Sequence, residues 1–574
     1  MDQTLPLSNK SFVQRLTGSA AEKPVHFFLL FWLVLNLLQV SFTELTSDEG
    51  YYWFYTQHLQ WGYYDHPPLI AFLIKCGSAI LPGELGIRFF NVLLSTAGLS
   101  LFFTLLPQNL KQSNRTYLVL LSAPLLHYLT FLLFPDGPLL FFSLLFLCLY
   151  KRFLQQQNVI AALLLGVSLV GMAYAKYHGA LVLIFTIAAN PRLLRSGYFY
   201  LALFVAAFLF APHLWWQYTH QFPTLKYHLS GRTGQWGLRH VGEYISQQLV
   251  AIGPGLIFIP FVCRTTDLFE RTLKFIIIGS FGFFLLSSFK TFVHFHWTSI
   301  ALYPLLYFAV AYYNRPEKGR LFRWLILPFV VLFFVARLLL MVPVIPNMHA
   351  GEDYYHGRKA WAEELSALAG NRPIFMPNNL REASLYSYYS GKLGVTLYNR
   401  PEKKSQYEMW GYEDSLQGKE VLLVSKYPFA GSKELVTVTG QTVFHAVVPS
   451  FRSFYIGIAI KATVLPFQPN DTVLQAGLEI ITEGTKGVLF GSGNNQQSPF
   501  LVYSIEKGKD VVRADTLQAF AAADVIEAGA RIRKEVRIPL QGLPKGEYRV
   551  YFGIRSGVLS DAILSKPVEL HRAY

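Results

Sequence analysis

The chain has 574 residues, 52% of them hydrophobic and 15% charged, with a mean hydropathy of +0.32. Soluble domains carry about a quarter charged residues, so this composition excludes a wholly water-solvated protein. The net charge of +15 is dispersed between apolar segments, whereas a nucleic-acid partner would call for one basic patch. The three cysteines, Cys76, Cys148 and Cys263, lie in or beside apolar runs without metal-ligand spacing. Their odd number argues against a disulfide framework.

Residues 1–25 carry Lys10, Arg15 and Lys23, and the apolar run after them has no small-residue cleavage site, which predicts an uncleaved first span with a cytoplasmic N-terminus. A bilayer core takes about 20 apolar residues per helix, and candidate spans fall near 26–43, 86–107, 116–134, 138–154, 158–175, 177–191, 198–216, 243–262, 275–289, 297–313 and 321–341, about eleven in all. The stretch 158–191 is too long for one crossing, and Lys176-Tyr177-His178-Gly179 marks its break. With the N-terminus inside, the cytoplasmic loops receive Lys111/Arg115, Lys151/Arg152, Arg192/Arg195, Arg264/Arg271/Lys274 and Arg315/Lys318/Arg320. The alternate turns then face outward. Residues 44–82 read as two short helices along the outer membrane surface, with Tyr51-Tyr52-Trp53-Phe54-Tyr55 as an interfacial aromatic belt. Residues 26–341 form the membrane region. The remainder, also outside, reads as an α/β module over 342–436 and a period-two β-sandwich over 437–574, without a catalytic motif in the sandwich.

The chemistry gathers on the outward side. Ser47-Asp48-Glu49 follows the first span; its structural reading is a helix start capped by Ser47, with acids in the first turn. Asp65-His66-Pro67-Pro68 opens a second apolar stretch, and Phe134-Pro135-Asp136-Gly137-Pro138 reads as a turn that adds a third carboxylate at the same face. Arg88, Lys176, His178, Lys226, His228, Arg232, Arg239, Lys290, His294 and His296 supply cations there. Carboxylates alone would repel a phosphate, whereas Arg and Lys clamp one, so the mixture suits an anionic lipid-linked substrate.

The order of Ser47-Asp48-Glu49, Tyr64-Asp65-His66-Pro67-Pro68-Leu69, Pro135-Asp136-Gly137-Pro138-Leu139, Ala175-Lys176-Tyr177 and His296-Trp297 resembles the bacterial family 39 membrane glycosyltransferases, relatives of the protein O-mannosyltransferases and the lipid A aminoarabinose transferase. The resemblance covers about residues 25–340, and the α/β module also suits it. It implies the GT-C fold in a bacterial inner membrane. It also implies a sugar donor on polyprenyl phosphate and transfer outside the cytoplasm to lipid A or lipopolysaccharide, another surface glycan, or a protein. The family's catalytic acid, just after the first span, carries onto Asp48, with Glu49 beside it; Asp136 is a further candidate site carboxylate because it shares their membrane face. The aminoarabinose transferases have lysine where this chain has His66, a departure that bears on phosphate contact.

The expected reaction is inverting, with Asp48 as general base and the leaving phosphate stabilised by Lys176 and Arg232, then by Arg88 and His66. No cofactor is expected to be obligatory; a divalent metal held by Asp65 and His228 is the alternative. The competing function is a transporter or flippase of lipid-linked sugars, which would also be polytopic with intramembrane charges.

Overall fold

The computed structural model describes residues 23–230, 237–342, 355–400, 403–453, 458–464, 471–482, 488–490, 500–508, 510–519, 524–527, 529–559 and 562–572. The chain divides into two compact units, Met1–Pro346 and Asn347–Tyr574.

The first unit is helical. Its main elements are α1 (Lys23–Phe42), α2 (Ser47–Tyr55), α3 (Leu69–Ile80), α4 (Gly83–Leu105), α5 (Asn114–Leu121), α6 (Pro124–Phe131), α7 (Asp136–Gln155), α8 (Val159–Ala175), α9 (Gly179–Ala189), α10 (Gly197–Thr219), α11 (Arg239–Ile252), α12 (Leu268–Ser288), α13 (Leu302–Tyr313) and α14 (Leu327–Met341). Local chemistry sets many of the boundaries. The side chain of Asn158 accepts from Ala161 N and that of Ser196 from Phe199 N, each satisfying a backbone donor at a helix start. Pro124 cannot continue α5 and instead opens α6.

Among the described residues five helices are long and apolar enough to cross a membrane: α1, α4, α7, α10 and the segment Pro316–Met341 that ends in α14. A sixth candidate is the pair Arg239–Ile252 and Pro254–Val262, bent by 98° at Gly253, whose φ of 85° is left-handed. Several other expected spans are shorter or interrupted, α5–α6 by Pro124 and the 295–313 segment by a 3₁₀ turn over Phe295–Ala301. Hydropathy counts apolar residues and does not register such breaks, so the expectation of eleven exceeds the uninterrupted helices.

Small residues let the helices approach closely, as packing in lipid favours. A Cβ on Gly77 of α3 would lie 2.1 Å from the Gly86 carbonyl oxygen of α4. At the break after α8, Lys176 ends the helix in extended conformation.

In the second unit, α15 (Arg358–Ala369) and α16 (Leu380–Ser390) accompany a five-stranded sheet. It is built from β1 (Ile374–Phe375), β2 (Gly394–Val395), β3 (Val421–Ser425), β4 (Lys433–Val436) and β5 (Thr442–Val448), in the order β2-β1-β3-β5-β4. β1 pairs with β2 and β3 in parallel, and β5 is antiparallel to β3 and β4. The α/β module therefore runs to Val448, beyond the expected end at 436. Period-two alternation signals a strand without saying which sheet it joins.

Then follow β6 (Ile458–Val464), β7 (Val473–Thr482), β8 (Val488–Phe490), β9 (Phe500–Lys507), β10 (Asp510–Ala519), β11 (Asp524–Ile526), β12 (Arg531–Pro539), β13 (Gly546–Arg555), β14 (Ala562–Ile563) and β15 (Val568–Arg572). One antiparallel sheet runs β10-β9-β13-β14 with β15 also on β13, a second runs β12-β7-β6, and β8 pairs with β11. Alternate residues Leu474, Ala476, Leu478 and Ile480 of β7, and Tyr548, Val550, Phe552 and Ile554 of β13, are buried, as in a two-sheet sandwich core.

Candidate active site

The site is built on the turn after α1. Thr46-Ser47-Asp48-Glu49 forms a capping box: Glu49 N donates to Thr46 Oγ1 at 3.5 Å, and Thr46 N donates to Glu49 Oε2 at 2.9 Å. The cap is thus Thr46, one residue before the expected Ser47. Glu49, fully buried, also meets Arg88 of α4 in a two-pronged pair: Nε donates to Oε1 and Nη2 to Oε2, both at 2.6 Å. The guanidinium further donates to the carbonyls of Thr43 at 2.5 Å and Glu44 at 3.0 Å. Leu133 N donates to Glu49 Oε1 at 2.8 Å. One ion pair therefore locks together the end of α1, the start of α2, α4 and the segment leading into Asp136. Glu49 was expected beside the catalytic acid and Arg88 among the phosphate contacts; here carboxylate and guanidinium face each other in a solvent-free interior. Asp48, the residue before, is only half-buried.

A second pair lies at the start of α7. Lys176 Nζ donates to Asp136 Oδ2 at 2.7 Å and Ser299 Oγ to Asp136 Oδ1 at 3.1 Å, and His296 Nε2 stands 3.7 Å from Oδ2. Asp136 has no exposed surface and Lys176 has 6%. Asp136, expected as a site carboxylate, is positioned to hold Lys176, with both of its oxygens engaged. Gly137 follows because its Cα passes close to Asn91: a Cβ there would lie 2.1 Å from Asn91 Oδ1. Asn91 cannot yield easily, since its Nδ2 donates to the carbonyls of Leu129, Thr130 and Leu132.

The third group surrounds Asp65. Tyr51 and Tyr55, one turn apart on α2, both donate their hydroxyls to Asp65 Oδ1, Tyr51 at 3.4 Å and Tyr55 through a shorter bond. Burial, and then the Asp65 charge, hold the Tyr55 phenol well above the usual tyrosine range, so it stays a donor. Tyr63 stacks on Tyr55 with centroids 4.2 Å apart, and burial pushes its phenol up to about 12. His66 Nε2 lies 3.8 Å from Asp65 Oδ2. The aromatic run 51–55 does not form an interfacial belt: Tyr51, Tyr52, Phe54 and Tyr55 are buried, and Trp53 alone is more open. Amphipathic rings suit an interface and a polar pocket equally well, so composition could not separate the two.

Rings join the groups. Tyr52 meets both His66, at 5.5 Å, and Phe134, at 6.3 Å, and Phe134 meets His296 at 5.4 Å. Asp65 and Asp136 thus bound one polar region. The loop carrying Asp65 is held from α10 and the segment after it: His213 Nδ1 lies 2.6 Å from Trp61 O, its Nε2 lies 2.9 Å from the Tyr177 hydroxyl, and Thr224 Oγ1 donates to Tyr63 O at 3.1 Å. No local pattern signals these ties, which link residues 36 to 161 positions apart.

Arg232 lies outside the described residues, as does the side chain of His228. Among the described residues no group of three or more His, Cys, Asp or Glu is arranged to hold a metal ion.

Helices long and apolar enough to cross a membrane, with a polar region among them, define a multi-pass membrane protein, and likeness to a solved structure gives its fold as GT-C. Residues 65–216 match the sequence model of the family described as dolichyl-phosphate-mannose-protein mannosyltransferase. Lipid A galacturonosyltransferase RgtD of Rhizobium johnstonii is 28% identical over 248 residues, 40% of this chain and 50% of that protein. The chain thus spans about half the length of the curated relative it matches. The structure of ArnT from Cupriavidus metallidurans in the apo state superposes with a TM-score of 0.54 at 14% identity, covering 74% of this chain and 98% of the other. The same protein bound to undecaprenyl phosphate gives 0.54 and 14% with 75% and 98% covered. At that identity the likeness is one of fold. The resemblance to membrane glycosyltransferases drawn from the sequence stands.

Proposed function

We propose that the protein transfers a sugar from a polyprenyl-phosphate-linked donor to a lipid A-type acceptor on the extracytoplasmic side of the membrane. The observation that carries this reading is the division of labour between neighbouring acids: Glu49 is sealed against Arg88 while Asp48 retains exposure in the same helical turn. Asp48 accepts the proton of an acceptor hydroxyl as that oxygen bonds to the anomeric carbon. The bond from that carbon to the phosphate oxygen breaks on the opposite face, with inversion, and the electron pair leaves on the polyprenyl phosphate. Lys176, oriented by Asp136, stabilises that charge, with Arg232 and His66 as further contacts. Support for the lipid substrates comes from the relative that acts on lipid A and the fold neighbour that binds undecaprenyl phosphate. The dispersed basic loops support an extracytoplasmic site through the positive-inside rule.

The test uses the full chain in detergent with lipid A and a panel of polyprenyl-phosphate sugars, read by the mass gained on lipid A. Asp48→Asn should retain its fold and donor binding and lose about 10²–10⁴-fold in transfer rate. Full turnover in Asp48→Asn would remove the assigned base. Absence of transfer by the unaltered chain, together with donor movement across sealed vesicles, would favour the flippase.

A further inference from the structure

Arg337 of α14 is a buried cation of a different kind. It is 2% exposed and lies about one turn, roughly 6 Å, from the helix end. Its Nη2 donates to Asn36 Oδ1 at 2.7 Å and its Nε to Gln39 Oε1 at 3.0 Å. Its Nη1 lies 3.1 Å from His127 Nδ1. Since His127 Nε2 lies 2.8 Å from the Leu121 carbonyl, Nε2 carries the proton and Nδ1 accepts, so the imidazole is neutral. The guanidinium also stands 5.0 Å from the Phe131 ring centroid and 5.9 Å from that of Trp32. Every one of these partners is neutral, and among the described residues no carboxylate pairs with it. Arg88 and Lys176 each have a carboxylate at 2.6–2.7 Å. Arg337 stands near the helix end, where a charge costs less than the about 2.5–3.5 kcal/mol of a central position, but a buried cation without a carboxylate still calls for a counter-charge.

Arg337 also forms part of the wall of a cavity of about 440 Å³ between α6, α11 and α14. The volume is that of a ligand site, which typically spans about 300–1,000 Å³. Its lining is almost entirely apolar, with Leu125, Phe131, Val250, Phe333 and Ala336 among the walls. Val250 is 74% exposed, so the cavity opens sideways on the surface of α11. The cavity is also near the proposed reaction centre. Thr43, whose carbonyl accepts from Arg88, donates its hydroxyl to Leu340 O at 3.4 Å. The rings of Tyr128 and Phe295, both in the cavity wall, lie 4.9 Å apart, and Tyr128 stacks on Phe134 at 5.3 Å.

We infer that this cavity is a binding site for a phosphate-bearing membrane lipid, with one hydrocarbon chain between α6, α11 and α14 and the phosphate countering Arg337. An apolar slot alone would accept any chain; the uncompensated cation selects an anionic amphiphile. The lipid is a phospholipid of the bilayer, the lipid A acceptor or the polyprenyl phosphate, and the assay distinguishes them.

The delipidated full chain in detergent is titrated, by native mass spectrometry, with phosphatidylglycerol, lipid A, undecaprenyl phosphate and diacylglycerol, the last as a chain without phosphate. At least one phosphate lipid should bind saturably and more tightly than diacylglycerol. Arg337→Met should weaken it by about tenfold or more, the scale of a lost charged hydrogen bond. Ala336→Phe should fill the slot and weaken the same lipid while leaving Arg337 in place. Preference for phosphatidylglycerol identifies a bilayer lipid; preference for one of the other two identifies a substrate lipid. Equal binding of diacylglycerol, or unchanged affinity in either variant, overturns the site. Should Arg337→Met fail to fold, Ala336→Phe decides alone. The readout is binding, so it stands whether or not the transfer reaction proves correct.

Discussion

Both units of the protein bury an ion pair between helices, yet only one surrounds it with open chemistry. In the second unit Arg358 of α15 donates to Glu382 of α16, with side chains 4% and 7% exposed, and the guanidinium lies 4.7 Å from the Trp361 ring centroid. This pair joins two helices of the α/β module. In the helical unit Glu49–Arg88 is sealed just as completely, but half-buried Asp48, Asp65 and His66 stand on the elements it fixes. A buried pair by itself marks a place where two charges satisfied each other during folding. A candidate site requires such a pair to hold other ionisable groups that remain reachable.

Substitutions that break each pair sharpen this contrast. Arg88→Met leaves Glu49 charged in an interior without a partner and should destabilise the helical unit by about 3–5 kcal/mol. Thermal unfolding in detergent reads this, and activity should disappear with the fold. Arg358→Met should destabilise the second unit on the same scale, about 3–5 kcal/mol, while transfer per folded molecule stays unchanged. A rate defect in folded Arg358→Met protein would break the comparison and give the second unit a part in catalysis.

Smaller effects test the walls of the site. Gly137→Ala forces a methyl group against an immobilised Asn91 and should cost about 1–3 kcal/mol, the usual range for overpacking. Near-wild-type stability would mean that the Asn91 bonds yield more readily than their three carbonyl partners suggest. Tyr55→Phe removes one hydroxyl from the charged Asp65 and should cost about 1.5–3 kcal/mol at most, with Tyr51 retained as a donor. Thermal unfolding of the variant in detergent checks the size of that loss.

Parts of the site were legible from the residues alone. Lys176-Tyr177-His178 was readable as a helix break because a continuous apolar run exceeded the bilayer, and the structure ends α8 there. The local bonding of Glu49 had a signal in the sequence: Thr46-x-x-Glu49 is a capping-box pattern, which engages the carboxylate at a helix start. Nothing local announced that Arg88 would complete it, because the two residues lie 39 positions apart. The same holds for Arg337, which reads as one more basic residue near a span end until Asn36, Gln39 and His127 surround it.

The sequence by itself determined that this is a multi-pass membrane protein with acids and cations gathered beside its helices. Hydropathy decides that much, because an apolar run must satisfy its own backbone hydrogen bonds in lipid and does so as a helix. The tertiary structure decided which carboxylates are fully buried and which keep some exposure. Successive residues on a helix point about 100° apart, so Asp48 and Glu49, adjacent in the chain, fall on different sides of α2. Whether a side chain meets a guanidinium or remains half-open depends on the helix packed against that side, and that neighbour comes from a distant part of the chain.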